Sequence, residues 1–182
     1  MVIRLLKENL GKMSAAAAAL RPLRFEDAEA YGEAKYGREE KGSPCGDEVR
    51  AAVVDAVRDR DRYDFLVTGP SGEILGEAVL EAVNWEAESG RLRIALFREE
   101  AFGTGVGKAA MDLLLEFSFD RLCLHRVECE ILDCDLRSRR ACQASGFLRE
   151  GVRREAAPAD GGFRDVAVYS MLEQEYHGRR GC

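Results

Sequence analysis

Three glycines at alternate positions, Gly103, Gly105 and Gly107, precede an alanine-rich and leucine-rich run that predicts a helix. The first backbone N–H groups of a helix have no partner within the helix, and the helix dipole favours negative charge beside them. Glycines allow the backbone of such a loop to approach a ligand closely. The sequence therefore predicts an anion-binding loop, and phosphate is the usual ligand of such loops.

Two common phosphate-binding patterns match this loop poorly. The P-loop pattern requires glycine at position 102 and Ser or Thr at position 109, where this chain has Phe102 and Ala109. The dinucleotide-binding pattern fails because its third glycine comes one residue early, at Gly107, and because several predicted strands precede the loop. A P-loop nucleotide hydrolase would bind ATP or GTP with magnesium, and the missing hydroxyl after Lys108 counts against it.

Composition limits the classes of protein and of partner. The chain has 182 residues, 46% of them apolar, and a formal net charge of -6. This length suits one domain with one core, and the acidic balance argues against nucleic acid or a membrane as a partner. Six cysteines without a C-x-x-C pair indicate reduced thiols and a cytoplasmic location. With only His125 and His177 as imidazole ligands, no metal site is expected.

The order of the predicted elements places the loop after an antiparallel meander. A short strand ending at Leu23 and a helix from about Asp27 come first, and a second amphipathic helix follows. Three antiparallel strands lead to the loop and its helix; then come a strand, a short helix capped by Asp135 and ended at Gly146, and a long hairpin. We expect an uncertain N-terminal extension over 1–19, the domain over 20–176 and a C-terminal tail over 177–182.

The loop and the segment after it resemble the Gcn5-related N-acetyltransferase (GNAT) superfamily. Phe102, Gly105 and Gly107 fall on that family's acyl-CoA loop pattern, Arg/Gln-x-x-Gly-x-Gly/Ala. The sequence then resembles the branch that acetylates ribosomal-protein N-termini, through "HRVE" at 125–128, Asp135, Ser138 and "GF" at 146–147. The resemblance covers residues 20–173. It implies an α+β fold with a mixed, mostly antiparallel, splayed sheet flanked by helices.

The same resemblance assigns the glycine loop to acetyl-CoA. It implies that the amides from about Gly103 to Lys108 hold the pyrophosphate. Phe102 replaces the family's Arg or Gln, and Asp135 replaces an Asn that helps to hold the pantetheine, so Asp135 could equally be a plain helix cap. The residues implied to bind the cofactor are Leu96, Phe97, Phe102, Gly103, Thr104, Gly105, Val106, Gly107, Lys108, Asp135 and Ser138.

Three residues are candidates for the proton transfers of acetyl transfer. Many relatives have a tyrosine acid where this chain has Cys142, and the similar branch often has a serine facing the thioester, matched by Ser138. We expect Ser138 to donate or orient the proton; Cys142 is the second choice, or else a small buried side chain. Glu130, where some relatives place a catalytic Glu, is the candidate base, with a held water as the alternative.

The acceptor is expected to be a primary amine, of a protein N-terminus or of a small molecule, acetylated directly in a ternary complex. Glu81, Asn84 and Trp85 could line its cleft, and Trp85 could equally belong to the core. Arg139 and Arg140 could contact the cofactor's phosphates, although charges on a helix usually face solvent. The alternative function is a catalytically silent acyl-CoA-binding module on the same fold, and a homodimer is compatible with either.

Overall fold

A computed structural model of the chain describes residues 11–37, 46–159 and 161–180. The first ten residues of the expected extension, Cys45 and Cys182 lie outside the described residues. The strands are β1 (Met13–Ser14), β2 (Ala19–Pro22), β3 (Tyr63–Thr68), β4 (Ile74–Asn84), β5 (Ser89–Leu96), β6 (Arg126–Leu132), β7 (Leu148–Ala159) and β8 (Gly162–Leu172). The α-helices are α1 (Ala28–Tyr36), α2 (Gly46–Arg58), α3 (Val106–Glu116), α4 (Leu136–Ala144) and α5 (Glu173–Arg180).

The strands form one sheet in the order β1-β2-β3-β4-β5-β6-β8-β7. Neighbouring strands are antiparallel except β5 and β6, which are parallel. β5 and β6 pair only where Ser89 to Arg91 meet Arg126 to Glu128, and the rest of each strand continues without pairing to the other. The expected mixed, mostly antiparallel and splayed sheet is therefore confirmed, and its split lies between β5 and β6.

Helices cover both faces of this sheet. The apolar stripe predicted for α3 is buried against one face, and the ring of Phe117 packs edge-on against that of Phe65 with centroids 5.1 Å apart. On the other face, α1 and α2 pack over Leu66 through Tyr31 and Val53. The split between β5 and β6 therefore connects two faces that are covered by different helices.

Packing continues past the expected domain boundaries at both ends. Met13 in β1 is only 3% exposed, and β1 pairs with β2. At the other end α5 continues past residue 176 to Arg180, and the Nδ1 atom of His177, the first residue of the expected tail, lies 3.9 Å from Asp120 Oδ1. Part of the expected extension and part of the expected tail thus belong to the packed unit. No helix in the described ranges has the length and apolar content that crossing a bilayer requires.

Candidate active site

The glycine loop joins β5 to α3 by way of a short 3-10 turn. Gly103 and Gly105 have φ angles of +75° and +88°, which residues with a side chain rarely adopt. A Cβ atom at either position would meet no atom within 4 Å, so backbone conformation rather than crowding requires glycine there. Gly105 immediately precedes the first residue of α3. The approach of the chain to this helix N-terminus therefore depends on these two glycines.

The loop amides are free to bind a ligand. From Gly103 to Lys108, the backbone N–H groups donate to no acceptor within the described part of the chain. The helical pattern begins with the next amide, that of Ala109, which donates to the carbonyl of Gly105 at 2.9 Å. Consecutive free N–H groups at a helix N-terminus are the donors that a phosphate or pyrophosphate group requires.

These amides open onto a cleft of about 440 Å³ between the separated ends of β5 and β6, which we name the β5–β6 cleft. Leu92, Ile94 and Ile131 make its interior apolar, whereas polar groups surround it. An apolar channel that ends at anion donors fits a long thioester with a phosphate end. The expected residues whose atoms line this cleft are Leu96, Phe102, Gly103, Gly105, Gly107, Lys108, Glu130, Asp135 and Ser138.

Asp135 and Ser138 are bonded to each other in this cleft. Asp135 is the expected N-cap of α4, and its Oδ1 accepts from the amide of Ser138 at 3.0 Å. The Ser138 hydroxyl donates to Asp135 Oδ2 at 2.6 Å. Burial raises the pKa of Asp135, but the hydrogen bonds from Ser138, together with the amide and the charge of Arg137, outweigh burial and hold this pKa below its usual value. Asp135 is therefore an ionised acceptor at neutral pH, and the hydroxyl proton of Ser138 points toward it.

Cys142 lies behind the cleft wall. Its side chain is fully buried, and it is not among the lining residues. Its Sγ atom is 2.9 Å from the Sγ atom of Cys129, a β6 residue that does line the cleft. The contact with Cys142 and burial raise the pKa of the Cys129 thiol. This geometry favours the packing role for Cys142, and its role as an acid stays a prediction without direct contact to the cleft.

Glu130 reaches the cleft from β6 but already has partners. Its Oε1 atom accepts from Arg153 Nη1 at 2.6 Å and lies 3.6 Å from Arg91 Nη1. Val127 and Cys129, which alternate with it along the strand, are buried on the other face. To take a proton from an amine, Glu130 would have to exchange an arginine partner. A role as the base therefore stays a prediction.

Three expected cofactor residues direct their side chains away from the cleft. Phe97 packs against Tyr31, with ring centroids 6.0 Å apart, on the face that α1 and α2 cover. Thr104 Oγ1 donates to the carbonyl of Ala101 at 2.7 Å, and Val106 is buried in the core. Side-chain contact with a cofactor has no support at these positions, whereas the amides of Thr104 and Val106 remain among the free donors.

The expected acceptor residues lie outside the lining of the β5–β6 cleft. The turn after Asn84 and the glycine loop are at opposite ends of β5, which separates them by roughly 20 Å or more at about 3.3 Å per residue. Glu81 is paired with Arg62 at 3.3 Å. Trp85 is 37% exposed and donates to Asp61 at 3.0 Å, so it is not part of the core. Their contact with an acceptor stays a prediction.

Sequence reasoning missed a buried ionic cluster beside the cleft. Glu77 in β4 is 3% exposed and accepts hydrogen bonds from Tyr31 and Arg93 at 2.5 Å each and from Lys35 at 3.0 Å. Burial raises the pKa of Glu77, but the bonds from Tyr31 and Arg93 outweigh burial and lower it. A glutamate in the middle of the apolar run of β4 was the available signal, because buried charges require partners.

Arg93 also lines a second cleft of about 410 Å³, which we name the α1–α2 cleft. Tyr31 and Lys35 of α1, Val49 of α2 and Asp64 of β3 belong to its lining. Because α1 and α2 cover the face opposite α3, the α1–α2 cleft lies on that opposite face, and it shares Arg93 of β5 with the β5–β6 cleft. A ligand in the β5–β6 cleft and a second ligand in the α1–α2 cleft could therefore meet near Arg93.

Curated proteins with similar sequences are N-acetyltransferases by name. "Uncharacterized N-acetyltransferase p20" of Bacillus licheniformis is 26% identical over 119 residues, 65% of this chain and 65% of that protein. "Putative ribosomal N-acetyltransferase YdaF" of Bacillus subtilis (strain 168) is 32% identical over 101 residues, 56% of this chain and 53% of that protein. The chain thus spans about half to two thirds of the length of these curated relatives.

Solved structures share the fold. The dodecameric structure of spermidine N-acetyltransferase from Vibrio cholerae has a TM-score of 0.79 at 21% identity and covers 91% of this chain and 99% of that chain. The family model described as "Acetyltransferase (GNAT) domain" matches residues 18–148, a range that includes the glycine loop, both strands of the split and α4. The chain belongs to the GNAT acetyltransferase family.

Proposed function

We propose that this chain is an N-acetyltransferase that moves the acetyl group of acetyl-CoA directly to a primary amine while both substrates are bound. The observation that carries the proposal is the run of unpaired amides from Gly103 to Lys108 at the mouth of an apolar cleft. Membership of the GNAT acetyltransferase family supports the same donor. Acetyl-CoA supplies an activated thioester, and the residues of the chain bind it, orient it and exclude water from it.

The chain contributes donors at one end of the cleft and a hydroxyl within it. The loop amides bind the pyrophosphate, and Leu92 and Ile94 keep water away from the acyl arm. We assign Ser138 the hydrogen bond that stabilises the leaving sulfur: Asp135 holds the hydroxyl in the cleft, and the single hydroxyl proton must turn from Asp135 Oδ2 to the sulfur as the thiolate forms. Glu130 is the candidate base, and water is the alternative because Arg153 already occupies Glu130 Oε1.

The acceptor amine enters from the α1–α2 cleft in this proposal. That cleft lies on the opposite face of the sheet, and Arg93 borders both clefts, so an amine placed there can approach the thioester through the split. The names of the similar proteins point to two kinds of amine, a ribosomal substrate for one and spermidine for another. Peptide N-termini and polyamines are therefore the first acceptors to compare.

The second candidate function is a silent acyl-CoA-binding module. Cys142, at the position of the tyrosine acid in many similar proteins, is fully buried, which favours this candidate. Such a module would bind acetyl-CoA through the loop amides and release no CoA with any acceptor. Measuring binding and turnover in the same preparation separates the two functions.

The test has two steps. Acetyl-CoA at about 100 times its dissociation constant should stabilise the fold by roughly 2.7 kcal/mol. Free CoA should then appear with at least one amine from a panel of peptide N-termini, polyamines and small amines. Binding of acetyl-CoA without release of CoA would favour the silent acyl-CoA-binding module. A melting temperature that does not change in millimolar acetyl-CoA would contradict the assignment of acetyl-CoA as the donor.

A cytoplasmic location and self-association complete the proposal. The four cysteines within the described residues are free thiols, which agrees with a reducing compartment. A structural neighbour, the Vibrio cholerae spermidine enzyme, is dodecameric, and at 21% identity it shows the fold alone. Light scattering on the purified chain should give the mass of a dimer, and a monomer at micromolar concentration would contradict the homodimer.

A further inference from the structure

The charged side chains that line the β5–β6 cleft differ in whether they have partners. Arg137 is exposed and lines the cleft at the first turn of α4; within the described ranges it has the Coulombic attraction of Asp135 and the Phe102 ring, and neither an ion pair nor a side-chain hydrogen bond. The other four are paired: Arg93 with Glu77 at 2.5 Å, Lys108 with Asp112 at 2.5 Å, Glu130 with Arg153 at 2.6 Å, and Asp135 with the Ser138 hydroxyl at 2.6 Å.

The Arg137 guanidinium stacks on Phe102. The Cζ atom of Arg137 lies over the Phe102 ring, 4.2 Å from its centroid. Phe102 directly precedes the free amides that begin at Gly103. Stacking on an aromatic face orients a guanidinium without occupying its N–H donors. The donors of Arg137 are therefore available beside the loop amides.

We propose that Arg137, held on Phe102, binds a phosphate group of the CoA donor next to the loop amides. This inference rests on the proposed function, because it assigns a further part of the donor site. A guanidinium binds phosphate oxygens through two parallel N–H donors and brings a positive charge. Backbone amides of a loop add further donors but supply no such charge. CoA offers two such groups, its pyrophosphate and its ribose 3′-phosphate. The Phe102–Arg137 pair makes the site select a phosphorylated donor over a bare pantetheine thioester.

Neighbouring arginines of α4 do not share this position. Arg139 donates to the carbonyl of Asp133 at 2.8 Å and to the Tyr169 hydroxyl at 3.2 Å, so its guanidinium is directed toward β8. Arg140 is exposed and lies outside the cleft lining. Arg140→Ala therefore removes one positive charge from the same helix without touching the cleft, which makes it the matched control.

The test measures binding of CoA itself, so it does not require turnover. Calorimetry on wild type, Arg137→Ala and Arg140→Ala should show CoA affinity about tenfold to a hundredfold weaker for Arg137→Ala only, the range for hydrogen bonds to a charged group. Binding of acetyl-pantetheine, which has no phosphate, should be equal in all three. If Arg137→Ala binds 3′-dephospho-CoA as tightly as wild type does, Arg137 contacts the 3′-phosphate of CoA. If the variant still binds 3′-dephospho-CoA more weakly than wild type does, Arg137 contacts the pyrophosphate.

Phe102 provides a second, independent variant. Phe102→Leu should weaken CoA binding about twofold to fivefold in wild type and not at all in the Arg137→Ala background, because its contribution passes through the guanidinium. Arg137→Lys, which keeps the charge but loses the fork, should recover only part of the affinity.

Three results would overturn the proposal. Arg137→Ala could bind CoA as Arg140→Ala does, it could lose acetyl-pantetheine to the same extent as CoA, or Phe102→Leu could act fully in the Arg137→Ala background. If wild type binds CoA, any of these results contradicts only the role of Arg137 and Phe102 and leaves the proposed function standing. A wild-type chain that binds no CoA contradicts the proposed function as well.

Discussion

The Ser138 hydroxyl donates a 2.6 Å hydrogen bond to Asp135 Oδ2, while the Ser138 amide donates to Oδ1 of the same carboxylate at 3.0 Å. The carboxylate that caps α4 therefore also holds the Ser138 hydroxyl, and the single proton of this hydroxyl must turn away from Asp135 to reach the leaving sulfur in the role that we assign to Ser138. A change at Asp135 would disturb both the helix and the hydroxyl. A change at Ser138 removes the hydroxyl and leaves the backbone cap in place.

Ser138→Ala should lower turnover by about 10² to 10⁴, because general-acid or hydrogen-bond help at the leaving sulfur is lost. Its CoA affinity should be unchanged, since the loop amides are intact. Steady-state kinetics with an acceptor that wild type uses, together with calorimetry, measures both quantities.

Cys142→Ala is the comparison for Ser138→Ala. Its turnover should fall only mildly, since this buried thiol contacts Cys129 and does not reach the cleft. Collapse of turnover in Cys142→Ala with full activity in Ser138→Ala would move the acid role to Cys142. Full activity in both variants would mean that neither side chain supplies the proton.

Gly105→Val should abolish stabilisation by acetyl-CoA. At φ +88° a branched side chain is strained, and it would project from the loop that holds the free amides. Gly107→Ala is the control, because its Cβ would meet only Leu96 at an ordinary 3.7 Å and its φ is not in the left-handed region. Differential scanning fluorimetry with and without acetyl-CoA compares them, and equal shifts in both variants would count against the loop as the pyrophosphate site.

Glu77→Gln should lower the free energy of unfolding at pH 7 by about 3 kcal/mol, because Lys35 and Arg93 lose a buried partner charge. The folded pKa of Glu77 is lowered, so its contribution is fully present above its ordinary pKa of 4.5 and is lost as the pH falls through the folded pKa. The difference between variant and wild type should therefore shrink at acid pH. Urea unfolding at neutral and acid pH measures this.

The exposed Glu100→Gln serves as the control for Glu77→Gln and should change stability little at either pH. A Glu77→Gln deficit of the same size at neutral and acid pH would show that shape rather than charge stabilises the cluster.

Reducing agent should leave the melting temperature nearly unchanged. The described cysteines are free, and the 2.9 Å contact between the sulfur atoms of Cys129 and Cys142 joins two thiols without a disulfide bond. Mass spectrometry after alkylation should find every cysteine modified. If protein purified without oxidant contained a pair of unalkylated cysteines joined in a disulfide, this would contradict both the free thiols and the expected reducing compartment.

Local patterns predicted the elements and the loop. The glycine loop was correctly placed before the helix α3, and Asp135 was correctly predicted as the cap of α4. These features depend on spacings of two to four residues, which periodicity and capping rules report directly.

Long-range pairs were beyond those rules. Tyr31 and Glu77 are 46 residues apart in the chain, and their bond exists only because α1 packs across β4. The stacking of Arg137 on Phe102 likewise requires the approach of α4 to the glycine loop. Trp85 was expected to line the acceptor cleft, but the strand β4 carries it to the end of β5 that lies away from the loop, so this role stays a prediction.

The most direct test of the central claim is to incubate the purified chain with acetyl-CoA and a panel of amines and to measure free CoA and the acetylated product together. We predict stoichiometric CoA and N-acetyl product with at least one peptide N-terminus, polyamine or small amine, and neither product with Gly105→Val. Acetyl-CoA that binds wild type without any acetylated amine across the panel, or product formation that persists in Gly105→Val, would contradict the account.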